Sequence, residues 1–242
     1  MNYKKIKLLL ILIPFYFSLA AQTNSSSSVY DSQELFAQNF YTKNGNEFRS
    51  ANGAPGAAYW QNRADYLLHA TIDTVNNILA ATETIHYSNN SPDVLSSLWL
   101  EIDQNTYRED ARSNFYTASS KRHVTAPGAH TEGYYFDSIT IQYKGKNIKA
   151  DYNINDTRLQ LRLPDALSAK EKIDIHIKYH YTIPGTFGGR TDFFQTKNGK
   201  IYEIAQWYPR MCVYDDLHGW DALPFLGSGE FYCEYGSVQE YG

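Results

Sequence analysis

Cysteine is scarce in this chain: two residues in 242, Cys212 and Cys233. So few exclude a disulfide-built scaffold and leave two options, a single bridge or two half-buried thiols. Methionine is equally rare at two, and charge is modest, with 22 Lys and Arg against 26 Asp and Glu and a net −4. That balance carries no electrostatic footprint for nucleic acid. The apolar run at 8–17 is too short to span a bilayer. No H-E-x-x-H occurs anywhere, and no Gly-x-Ser-x-Gly surrounds Ser228, which removes the usual signatures of a zinc peptidase helix and of a serine-hydrolase elbow.

Aromatic residues are plentiful, with 21 Tyr, 12 Phe and 4 Trp. Aromatic and β-branched side chains suit a pleated, half-buried surface, so the composition leans to β-structure. The first residues read differently. Lys4, Lys5 and Lys7 precede the apolar run, and Ser18-Leu19-Ala20 supplies small residues for cleavage. Residues 1–21 therefore read as a signal peptide. The expected location is secreted, periplasmic or cell-envelope, with no stable membrane anchor after cleavage. Residues 22–57, rich in Ser, Asn and Gly, read as a flexible or irregular lead-in.

From Asp65 the apolar pattern takes a period of two. Leu68, Ala70 and Ile72 alternate with polar neighbours. Asn76-Asn77 marks a turn, and 79–87 follows as the second arm of a hairpin. Residues 95–102 put Leu98, Leu100 and Ile102 on one face and Trp99 and Glu101 on the other. Residues 104–116 read as a polar helical or irregular excursion, and 121–133 as a loop. Strands follow at 135–143, 152–154 and 158–163, with 164–170 as a connection. The clearest strand runs from Ile173 to Ile183, its apolar residues alternating with Asp174, His176, Lys178 and His180. About eight strands with turn chemistry between them predict an all-β fold, an antiparallel β-sandwich or saddle-shaped pair of sheets with little helix.

The stretch 201–221, I-Y-E-I-A-Q-W-Y-P-R-M-C-V-Y-D-D-L-H-G-W-D, is too polar for a plain core strand and too aromatic for a plain loop. Trp and Tyr join an apolar ring to a polar tip, which suits a wall that is part buried and part wet. A packed strand followed by a surface turn is the plainer alternative. Here Ala205-Gln206-Trp207-Tyr208-Pro209-Arg210 resembles a segment of the zinc aminopeptidases of the aminopeptidase N and leukotriene-hydrolase type, in their secreted bacterial branch. The 59–66 run Y-W-Q-N-R-A-D-Y, Ser88-Asn89-Asn90-Ser91-Pro92 and Leu98-Trp99-Leu100 are similar to the first strands of the same N-terminal β domain. The likeness covers most of 58–242. It implies that Gln206 reaches into a substrate cleft and helps hold the first residue of a peptide, with Trp207 and Tyr208 beside it as substrate-binding candidates. It also implies a catalytic domain as partner, peptide as substrate, and zinc in that further domain. No catalytic residue, metal ligand or cofactor is expected in this chain itself, which reads as truncated before the catalytic half.

Other constellations are weaker. His176 and His180 stand four apart, but on a strand that separates them by about 13 Å, too far to share a zinc bound at about 2.1 Å. They read as solvent-face histidines. Asp215, Asp216 and Asp221 could offer oxygens to a hard cation but lack the glycine spacing of a calcium loop; a solvated acidic turn is the alternative. A reading from another class is a secreted carbohydrate- or surface-binding sandwich, with Trp207, Tyr208 and Trp220 as a stacking platform.

Overall fold

The computed structural model describes residues 45–116, 130–185 and 190–226, and the backbone of Glu240–Tyr241. All belong to one unit, Lys43–Gly242. The signal peptide, most of the lead-in, most of the loop at 121–133, Ser228 and Cys233, and with Cys233 the choice between a bridge and free thiols, lie outside the described residues.

The fold is all-β and mostly antiparallel, as the alternation predicts; the exception is β14 (Glu240–Tyr241), which runs parallel to β1 (Arg63–Asp73). Six long strands carry the fold: β1 (Arg63–Asp73), β2 (Ile78–Ser88), β3 (Leu95–Glu101), β4 (Tyr135–Tyr143) and, after the short β5 (Lys146–Lys149) and β6 (Asp151–Asn155), β7 (Arg158–Leu167) and β8 (Lys172–Thr182). Then come β9 (Thr191–Thr196), β10 (Gly199–Ile204), β11 (Arg210–Met211), β12 (Val213–Asp215), β13 (Gly219–Asp221) and β14 (Glu240–Tyr241). A six-stranded sheet has the order β14-β1-β2-β8-β4-β5, and a four-stranded sheet the order β11-β3-β7-β6. Two hairpins, β9–β10 and β12–β13, complete the set.

Period-two patterning explains the core. Leu79, Ala81, Ile85 and Tyr87 of β2, Ile173 to Tyr181 of β8, and Ile139 and Ile141 of β4 face Leu98 and Leu100 of β3 and Leu159 and Leu161 of β7 in one buried cluster. The opposite face of β8 holds His176 and His180, as expected of a strand with one wet side. His176 Nδ1 lies 3.0 Å from Thr84 Oγ1, and His180 Nδ1 lies 3.4 Å from Asp137 Oδ2.

One local reading changes, and two gain detail. Pro164 does not end β7, which runs on to Leu167. The register slips there, with Leu95 opposite Leu167 but Ser97 opposite Arg162, and a bulge spares proline the donor it lacks. On the face of β3 opposite its leucines Glu101 is buried, because β11 pairs Arg210 with it and Cys212, just past β11, covers it. The excursion after β3 resolves into a 3-10 turn at Asp103–Tyr107 and one helical turn at Ser113–Tyr116.

The Asn-rich link between β2 and β3 is a buried polar knot. Asn62 donates to Tyr87 Oη (2.8 Å) and accepts from the backbone N–H groups of Asn90 (2.7 Å) and Ser91 (3.0 Å). Asn89 donates to the carbonyls of Asp93 (2.8 Å) and Leu167 (3.2 Å) and accepts from Ser91 Oγ (2.6 Å). Buried amides are tolerated only when satisfied in this way. The knot ties the segment before β1 to the ends of β2 and β7, so the motif 88–92 acts as a fastener between the sheets.

Candidate functional site

The candidate wall is the corner that follows β10. Its backbone is unusual: Gln206 has φ +47°, a region a non-glycine residue enters only when its surroundings hold it there. The holding groups are visible. Gln104 Nε2 lies 3.0 Å from the Ala205 carbonyl oxygen and 3.1 Å from that of Gln206. Thr191 Oγ1 donates to the Ala205 carbonyl at 3.0 Å, and the Tyr179 hydroxyl donates to the Trp207 carbonyl at 3.4 Å. Three consecutive carbonyls are therefore turned toward donors from the 3-10 turn, β9 and β8. The Ala205 N–H in turn donates to the Arg190 carbonyl at 2.9 Å.

Gln206, Trp207 and Tyr208 are all half-buried. The two rings meet edge to face at 5.1 Å and 70°, and Tyr208 meets Tyr66 in the same way at 5.4 Å and 65°. Both rings pack against the core cluster. Trp220 belongs to a neighbouring aromatic set, stacked on Tyr87 at 6.2 Å and tilted against Tyr214 at 5.1 Å. Tyr214 stacks in turn on Trp60 at 5.8 Å.

Arg210 is committed to Asp103, with Nη2 2.9 Å from Oδ2. Beside this pair lie Glu101 and Cys212, Sγ to Oε1 3.5 Å. Burial, reinforced by the charge of Asp103, pushes the Glu101 carboxyl up to about 8. Burial also holds the Cys212 thiol well above its ordinary range. The pair is thus neutral at pH 7 and unsuited to nucleophilic work, since the thiolate is the reactive form.

Glu83 stands out more. It occupies the apolar face of β2, is 2% exposed, and neither carboxylate oxygen has a hydrogen-bond partner among the described residues. Burial alone drives its carboxyl well above the usual range. The alternation L-x-A-x-E-x-I-x-Y at 79–87 contains this misplaced charge, which is the signal in the sequence. Gln104 gives no such sign: it opens a polar stretch, and only the fold brings it under the corner.

Asp215 and Asp216 are spoken for. Asp215 Oδ1 accepts the backbone N–H groups of Leu217 (2.9 Å) and His218 (2.7 Å), and Asp216 pairs with Arg49 at 2.8 Å. No group of three or more His, Cys, Asp or Glu among the described residues is arranged to hold a metal ion.

No family model matches the sequence, and no curated protein matches it. Solved structures show a partial likeness. A two-domain M1 zinc metallopeptidase bound to L-tryptophan aligns over 56% of this chain at 12% identity and TM-score 0.33. The M1 zinc metallopeptidase of Deinococcus radiodurans aligns over 58% at 13% identity and TM-score 0.34. The aligned part is 24% and 25% of those chains, respectively, so this chain spans about a quarter of their length. A likeness of this depth assigns neither a family nor an activity.

Proposed function

We propose that this chain is the non-catalytic N-terminal β domain of a secreted zinc aminopeptidase-like protein and forms one wall of its peptide-binding cleft. Gln206 offers its side-chain amide to the first residue of the peptide, and Trp207 and Tyr208 flank it. Zinc and the residue that activates water belong to a catalytic domain that docks beside this one. The polypeptide works outside the cytoplasm, without nucleic acid and without a membrane anchor once the signal peptide is removed.

The observation that carries this reading is the left-handed backbone at Gln206, on the residue that the resemblance names. Such strain persists where the surrounding structure over-determines it, and it clusters at ligand clamps. The test is to purify the polypeptide that the locus encodes, whatever its length, and assay hydrolysis of an aminoacyl amide. The expected result is chelator-sensitive hydrolysis, with Gln206→Ala raising KM by about tenfold and changing kcat less, the loss of one hydrogen bond to the ground state. No hydrolysis, or a KM untouched by Gln206→Ala, refutes it.

A further inference from the structure

We infer that Gln104 is the positioning residue of the Gln206 corner, resting on the reading of Gln206 as a peptide contact. Gln104 is 2% exposed and comes from the 3-10 turn after β3, about a hundred residues away in sequence. Its single amide nitrogen faces three oxygens: Ala205 O at 3.0 Å, Gln206 O at 3.1 Å and Thr191 Oγ1 at 3.2 Å. Two of these are carbonyls, which only accept, so the NH₂ end of the amide must face them. The orientation is fixed by chemistry.

The contact grips the peptide unit on each side of the Gln206 Cα, because Ala205 O and Gln206 O bracket its φ and ψ. A donor placed against both carbonyls resists the rotation that would take Gln206 to negative φ. Thr191 seconds it: Oγ1 donates to Ala205 O at 3.0 Å, while the Thr191 N–H donates to Tyr107 Oη at 3.1 Å. Tyr107 closes the same 3-10 turn that carries Gln104. The turn after β3 and the first residue of β9 thus form one polar bracket behind the corner. Its function is to present the Gln206 side chain in one direction, which lowers the ordering cost of binding.

The experiment uses isotopically labelled chain, with Gln104→Met, which keeps length and removes the donor, and Thr191→Val, which keeps shape and removes one of the two donors to Ala205 O. The torsion-sensitive backbone shifts of Gln206 are expected to leave the left-handed range in Gln104→Met, and amide exchange at Ala205 to quicken by about tenfold or more. Thr191→Val gives a smaller change of the same kind, and decides the matter should Gln104→Met fail to fold. Unchanged Gln206 shifts in a folded variant overturn the inference. In the secreted polypeptide, Gln104→Met is expected to raise KM for an aminoacyl amide, and to add nothing once Gln206 is replaced by Ala. Additive effects in that cycle would show a merely structural role. If wild type hydrolyses nothing, the peptide-wall reading falls, and the shift and exchange data alone decide whether Gln104 sets the corner.

Discussion

Glu83 offers the sharpest test of the fold. It lies on the buried face of β2 that also carries Leu79, Ala81, Ile85 and Tyr87, with no partner for either carboxylate oxygen among the described residues. In the folded chain it therefore binds its proton far more tightly than in the unfolded chain. Above the unfolded value of 4.5, unfolding releases that proton, so stability falls as pH rises. The slope is about 1.4 kcal/mol per pH unit for each carboxyl protonated only in the folded state. Glu101, raised to about 8, adds a second slope of the same sign between 4.5 and about 8. Asp65, Asp73 and Glu171 are shifted the other way, and they weaken the fold only in more acidic solution. Stability should therefore fall as pH rises from about 5 toward 8. Urea unfolding followed by tryptophan fluorescence at pH 5, 6, 7 and 8 measures this. Glu83→Gln should make the fall shallower, Glu83→Gln with Glu101→Gln should make it shallower still and leave the part that half-buried Asp156 and Asp221 add in the same direction, and Glu83→Leu should raise stability at pH 8. A wild-type curve that is flat or rises over this range, or a Glu83→Leu variant that is weaker at pH 8, would refute the reasoning.

Further expectations follow from the same contacts. Asn89→Ala strands the Leu167 and Asp93 carbonyls that its amide serves and should destabilise by about 2–3 kcal/mol in denaturant titration. Leu161→Ala opens a cavity between the sheets and should cost about 2–5 kcal/mol by the same assay. Gln206→Gly relieves the positive φ, so thermal unfolding should show a gain of up to about 1 kcal/mol while peptide recognition is lost; a clear drop in melting temperature would argue against strain at this corner.

The long strands were legible because each buries one face and alternation encodes that directly; Ile173 to Ile183 is the clearest case. What alternation could not show is coverage of the second face. The burial of Glu101 was not legible, because nothing local reveals that Arg210 pairs opposite it and Cys212 lies over it, a contact 111 residues away. The run through Pro164 looked like a break because a bulge, which makes proline acceptable, depends on the partner strand. The corner at Gln206 was marked by its aromatic neighbours, but the donors that set its backbone come from Gln104, Thr191 and Tyr179, and no spacing in the chain joins those three. Glu83 was visible as a charge on an apolar face; only the structure shows that no described residue answers it.

The knot of Asn62 and Asn89 also concentrates the join between the sheets in two side-chain amides. Hydrolysis of either side-chain amide to a carboxylate keeps the accepting oxygen but removes the donating NH₂ and leaves a negative charge in a dry place. For Asn89 the lost donor faces the Leu167 and Asp93 carbonyls, which would then confront a like-charged oxygen. One chemical lesion of a single dalton would thus unclasp the join between the two sheets.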